Sequence, residues 1–208
     1  STLFPYTTLF RSPYRAAVAT GVATFGLPML NIGRYRAFGA NAPRYSARAM
    51  KIVERALVID MLAPLKIDFT PEAYANPISE QAAADFRASG ITVFHNSIGT
   101  GGPQAVEETL AFIASWQGYA GRNSHVFSLV GTAADLDRAK KERKIAVIMG
   151  VQNAEHFREP GDVKKFYQLG QRCAQLTYNS QNLIGSGSTD RVDGGISDFG
   201  EQIGRAHV

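Results

Sequence analysis

The chain has 208 residues, 45% of them hydrophobic and 19% charged, with a formal net charge of +4. That balance is ordinary for a globular protein and gives enough chain for one substantial core. The positive charge is not gathered into a run, so it gives no warrant for a nucleic-acid partner, and a single cysteine, Cys173, excludes an internal disulfide and any paired-cysteine metal site.

Residues 2–12, TLFPYTTLFRS, and 203–208, IGRAHV, both resemble translated sequencing adapters, one at each end and in the appropriate order. They are set apart from the fold as non-native, as a cloning scar would be. This removes Arg11 and Arg205, taking the charge from +4 to +2, and removes His207 as a ligand. Next comes Ala16–Leu30, an uncharged, small-residue stretch that contains Gly21, Gly26 and Pro28. It is short for a membrane span but suits the apolar centre of an export signal, with 37–39 or 40–42 as a cleavage region. The alternative is an amino-terminal helix packed on the domain, against which the Gly and Pro content weighs. Residues 13–49 are assigned to an export-signal remnant and linker. That assignment predicts an exported or cell-envelope protein with transient membrane contact through the signal.

From residue 50 a rhythm of short apolar runs begins: Ala56–Leu62, Ile91–His95, Val126–Val130, Ile145–Val151 and Cys173–Tyr178. Their length, continuity and β-branched content suit strands buried on both faces. Helical segments alternate with them. Ser79–Ser89 opens with half a capping box, and Pro103–Tyr119 carries Val106, Leu110, Ile113 and Trp116 at helical spacing. Thr132–Glu142 has a threonine cap and a basic last turn, and Gly161–Leu169 stops at Gly170. This succession means parallel βαβ units. A nucleotide-binding open sheet would carry a glycine-rich turn after its first strand, but Leu62-Ala63-Pro64 stands there, and Gly99-Thr100-Gly101-Gly102 matches no phosphate-loop spacing. The reading is therefore α/β, the first half of a (β/α)8 TIM-type barrel over residues 50–202. Such a barrel takes about 250 residues, so this one is truncated. With its closing partners missing, the edges of the first and fifth strands should drive aggregation or leave the half-barrel partly molten.

A barrel carries its chemistry just after the strands' carboxyl ends, here Asp60–Leu65, His95–Gly102, Gln152–Phe157 and Tyr178–Asp193. His95 reads as a rim histidine, facing the pocket or bonded to a loop. Glu155 and His156 are a weak acid/base couple, because adjacent side chains diverge. Gln152, Asn153, Tyr178, Asn179, Asn182 and Asp193 form a mostly neutral hydrogen-bonding set at two neighbouring strand ends, suited to loop capping or to ligand contact. Ser186–Asp193 reads as a solvated loop, and Cys173, flanking an apolar run, as a small buried filler. The candidate pocket is His95, Gln152, Asn153, Tyr178, Asn179 and Asn182, with no catalytic residue assigned.

The segments ALVID, GITVF, DLDRAKKERKIAVIMG, LGQRCAQLTYNSQN and DGGISDFGEQ, in that order over residues 50–202, resemble the membrane (renal) dipeptidases, zinc-dependent barrel hydrolases. The resemblance implies a His-x-Asp ligand pair after the first strand, but those positions fall on Leu62 and Pro64. It implies a metal-bridging glutamate after the fourth strand, where Gln152 stands, and a substrate-contacting histidine where Tyr178 stands. The remaining ligands, two histidines, belong to later strands. An amide is a weak Zn²⁺ ligand and cannot supply the negative charge that holds two dications together. Zinc is thus expected from the family but no metal on this chain, which is expected to be an inactive fragment of a dipeptide hydrolase, a catalytically altered branch. The alternative is a non-catalytic barrel binding a small-molecule or dipeptide-like ligand.

Overall fold

A computed structural model describes residues 45–62 and 74–206; segment 2–12, the apolar stretch Ala16–Leu30, Pro64 and His207 lie outside them. The described chain runs α1 Ala47–Arg55, β1 Ile59–Asp60, α2 Glu80–Ala88, β2 Val93–Ile98, α3 Ala105–Arg122, β3 Phe127–Leu129, α4 Ala133–Glu142, β4 Ile145–Val151, α5 Gly161–Gln168, β5 Gln171–Ala174 and α6 Asp198–Ala206. All the strand pairs are parallel, as a βαβ succession requires. β1, β2 and β4 lie side by side. β3 and β5 share the other edge of β4, β3 along Ile145–Val147 and β5 along Met149–Val151, with a register shift between Met149 and Gly150.

The fourth strand keeps its predicted bounds, the third loses one residue at each end, and the other three move for identifiable reasons. β1 shrinks to two residues because Ala56 caps α1 and the Asp60 carboxylate takes the Leu62 N–H at 3.1 Å, turning the chain away. β2 continues through Asn96 and Ser97 to Ile98 because β4 offers partners as far as Val151. β5 starts earlier, directly after Gly170, whose φ of +111° ends α5 in a conformation that favours glycine. Gln171 and Arg172 therefore enter the strand with their polar groups satisfied: Gln171 meets His156, and Arg172 donates to the carbonyls of Gly131, Tyr167 and Gln171.

Strand alternation sorts the core. Phe94, Val147 and Met149 point to one face, where Phe86 of α2, Trp116 and Tyr119 of α3, Phe166 of α5 and Ile203 of α6 close over them. Phe86 stands edge-on to Phe94 at 5.6 Å and to Phe127 at 5.7 Å. Val93 and Ala146 point the other way and meet Ala139 of α4. Ile203 is the apolar anchor of α6 although it opens the adapter-like segment, and α1 begins within the stretch assigned to linker. At the start of α4 the cap reaches back from inside the helix. The Asp135 carboxylate accepts the N–H groups of Thr132 (2.6 Å) and Gly131 (2.7 Å) and pairs with Arg138 at 2.5 Å, which holds its pKa down to about 2. Among the described residues no helix is long and apolar enough to cross a membrane.

β1 pairs only with β2, and β3 and β5 pair only with β4 among the described residues, so the third strand joins the first and fifth in offering an open edge. Beside β1 the side chains of Ile59, Met61 and Leu62 are exposed. Such edges template association. The segment 50–202 is expected to elute as a self-associated species in size-exclusion chromatography with light scattering. A monodisperse monomer with a sharp thermal transition would contradict this.

Candidate functional site

His95 lies in β2 on the face opposite Phe94, in register with Ile148 of β4. Its Nδ1 is 2.5 Å from the carbonyl oxygen of Met61. A carbonyl only accepts, so Nδ1 carries a proton and donates it, and Nε2 is the nitrogen left to take up or release one. Nε2 is buried and makes no well-formed hydrogen bond. The ring lies over Gly150, where an added Cβ would sit 1.9 Å from Nε2; a glycine inside a strand marks such a close approach. Across the sheet Gly150 is in register with Cys173. The thiol is the largest influence on the imidazole, raising its pKa against the opposing pull of burial, and the imidazole in turn draws the thiol's pKa down. Cys173 is half-buried rather than a buried filler.

The carboxyl ends of β4 and β5 are held by amides. Asn153 donates to the Thr100 carbonyl at 2.9 Å and to Glu155 at 3.2 Å. Asn182 donates to the Asn153 side-chain oxygen at 2.8 Å and to the Leu176 carbonyl at 2.9 Å, and accepts the Ile184 N–H at 2.8 Å. These two residues are thus brought into contact. Gln152 bonds through its backbone N–H to Ile98 at 2.7 Å, while its side-chain oxygen lies near Gly99. Asn179 takes part in a separate turn, its carbonyl accepting from Thr189 and its side chain from Ser188. Tyr178 accepts the Ser188 N–H through its carbonyl and leaves its ring exposed. His156 diverges from Glu155 and is fully buried, with Nε2 at 3.0 Å from Gln171 Oε1 and its ring against Phe157 and Phe166. Burial holds its pKa down to about 4.

Leu62, at one position the resemblance marks for a ligand, is an exposed apolar side chain, and Pro64 lies outside the described residues. Among the described residues no three of His, Cys, Asp and Glu stand together as metal ligands. The sequence reading found His95 but not its partner. The signal lay in Gly150, a glycine inside an otherwise bulky strand, whose register neighbours lead from β2 to Cys173.

A family model described as membrane dipeptidase (peptidase family M19) matches residues 47–206. Among solved structures the chain is similar to an amidohydrolase from Pseudomonas aeruginosa, at 30% identity and a TM-score of 0.64, over 76% of this chain and 44% of that one. It is similar in fold to the probable dipeptidase PvdM of the same organism, at 18% identity and a TM-score of 0.62, over 75% of this chain and 45% of that one. A third likeness is to a metallo peptidase from Rhodobacter sphaeroides, solved with a phosphinate mimic of the dipeptide L-Ala-D-Ala, at 14% identity and a TM-score of 0.57, over 70% and 54% of the two chains. The chain spans about half the length of these solved relatives. No curated protein matches it. The parallel five-stranded α/β sheet is part of a barrel of the dipeptidase type.

Proposed function

Because the chain belongs to the membrane dipeptidase family, peptidase family M19, we propose that it contributes one half of a dipeptidase-like metallohydrolase barrel whose amino-terminal zinc ligands are replaced, and that by itself it cleaves no dipeptide. The observation that carries this reading is the donor chemistry at the ends of β1 and β4. Leu62 offers no donor and Gln152 offers a neutral amide, so these residues do not fit a pair of zinc ions, which need imidazole and carboxylate. What this half supplies instead is a wall of a pocket for a small or dipeptide-like ligand. Its members are His95, Gln152, Asn153, Tyr178, Asn179 and Asn182, and the protein works outside the cytoplasm or in the cell envelope.

A second reading, a barrel that binds without hydrolysis, draws support from the neutral Asn153–Asn182 pair and the adjacent Gln152. Neutral amides recognise peptide-like groups by hydrogen bonds and have no part in activating water. Metal analysis after dialysis tests the first reading. The chain is expected to retain no stoichiometric Zn²⁺, and one or two tightly held zinc ions per chain would overturn it. Dipeptide hydrolysis by the whole protein then separates the two readings, since binding without turnover favours the second.

A further inference from the structure

We propose that Gln152 and Ser97 are the side chains that read the ligand, and that the ligand they fit is an uncharged cis amide of the cyclic-dipeptide class. The inference rests on the ligand-pocket reading above and narrows it to two residues and one chemistry. Hydrogen-bond accounting carries it. Asn182 has its whole amide occupied: it donates to Asn153 and to the Leu176 carbonyl, and it accepts the N–H groups of Ile184 and Gly185. Asn153 donates to Thr100 and Glu155 and accepts from Asn182. These two amides are committed to holding the loops after β2, β4 and β5 together. Gln152 is not. Among the described residues its side chain makes no hydrogen bond, nor does the hydroxyl of Ser97, although both residues are half-buried. Polar groups that the chain leaves without partners at such a place are suited to a partner from outside.

Their placement agrees. Ser97 of β2 is in register with Gly150 of β4, and strand alternation puts Gln152, two residues further on, on the same face. The Gln152 N–H donates to Ile98, so the ladder extends to it. Beside it stands Gly99, where a Cβ would lie 3.8 Å from the Gln152 side-chain oxygen. That glycine leaves room next to the amide at the carboxyl end of the strands, where a barrel binds its ligands. The His95 ring, seated over Gly150, lies one step deeper.

Charge selects the class. The same face of β1, β2, β4 and β5 carries Ile59, His95, Ile148 and Cys173, and no carboxylate, ammonium or guanidinium. A linear dipeptide brings an ammonium and a carboxylate that this face cannot pair, and an unpaired charge is costly to desolvate. A glutamine side chain offers one donor and one acceptor side by side. A ring-held cis amide presents the complementary pair along one edge, so both bonds form together. A trans peptide group points its N–H and C=O in opposite directions.

The test is equilibrium dialysis of the full chain, stripped of metal by a chelator, against cyclo(Gly-Gly) and against linear Gly-Gly, which reads binding whatever the state of association. The cyclic compound is expected to bind at least about tenfold more tightly than the linear one. Gln152→Leu keeps the bulk and removes both hydrogen-bonding groups, and it should lower the affinity for the cyclic compound about tenfold; Ser97→Ala should lower it by a smaller factor. Gln152→Glu is nearly isosteric, loses the donor, and should lose most of the same affinity. Because neither side chain bonds to the chain, the urea midpoints of these variants should match the wild type, which separates reading a ligand from holding the fold. If Gln152→Leu does not fold, Gln152→Glu decides. Undiminished affinity in the Gln152 variants overturns the assignment and leaves the pocket reading standing. Equal affinity for the two compounds overturns the uncharged class. A chain that binds neither overturns the inference together with the ligand-pocket reading on which it rests.

Discussion

Acidifying the chain from pH 7 to pH 4 is expected to remove about 3 kcal/mol of folding stability through His156 alone. An ordinary histidine titrates near 6.5, and this one, buried between Phe157 and Phe166, is held down to about 4. The unfolded chain therefore takes up a proton that the folded chain refuses. Stability is complete above pH 6.5, falls as the pH drops, and has lost the whole contribution once the folded pKa is passed. A gap of roughly 2.5 units at about 1.4 kcal/mol each is about 3.5 kcal/mol in full, of which about 3 is gone at pH 4, a large part of a total of about 5–15 kcal/mol. Glu108, whose carboxyl is held above the ordinary glutamate value by burial, acts within this window with the opposite sign, and two further shifted groups act elsewhere. Asp135, with its pKa near 2, loses its contribution only below the ordinary aspartate range, and His95, whose pKa is raised, loses its contribution as the pH climbs above 6.5. Urea midpoints of the wild type and of His156→Gln between pH 7 and 4.5 measure the effect. The glutamine keeps a neutral donor for Gln171, so its midpoint should start lower and change less with pH. A wild-type midpoint that stays level across this range would remove burial of a neutral imidazole as a pH-dependent determinant.

What the sequence made legible follows from how locally each feature is encoded. β4, seven apolar residues from Ile145 to Val151 of which all but Ile148 are buried, is visible because burial on both faces leaves nothing polar to interrupt the run. α3 is visible through its spacing, and Trp116 and Ile113 both reach the core. The start of β5 is not, because Gln171 and Arg172 are polar residues made acceptable in a strand only by distant partners, His156 and Gly131. The same limit applies to the site. Asn153 and Asn182 are recognisable as polar residues at strand ends, but their contact at 2.8 Å depends on a loop path with no local signature. His95 and Cys173 are 78 positions apart in sequence. They meet only because β3 leaves the second strand free to pair directly with the fourth, which carries Gly150 between them. Local pattern encodes the elements, and strand order encodes their meetings.

Rebuilding the ligand set in the whole protein, with Leu62→His, Pro64→Asp and Gln152→Glu, is expected to turn a site with no retained zinc into one that holds it through dialysis. These changes restore imidazole and carboxylate donors after the first and fourth strands, where a barrel places catalytic groups, and deprotonated ligands dominate metal affinity. Structural Zn²⁺ sites reach apparent binding energies of about 10–16 kcal/mol, so even a fraction of that gain is measurable by isothermal titration. Turnover is the more demanding outcome. Proline fixes its own φ and biases the residue before it toward extended geometry, so a loop shaped around Pro64 can present the new aspartate in the wrong direction. The two measurements separate these effects. Zinc retention together with dipeptide hydrolysis would mean that loss of ligands alone explains the absence of activity. Zinc retention without hydrolysis would place the remaining defect in the loop's shape, and adding Ala63→Gly to relax it should then recover some turnover. The control is the unmodified whole protein: zinc-dependent dipeptide cleavage before any rebuilding would end the altered-site reading and return the protein to the activity its family name describes.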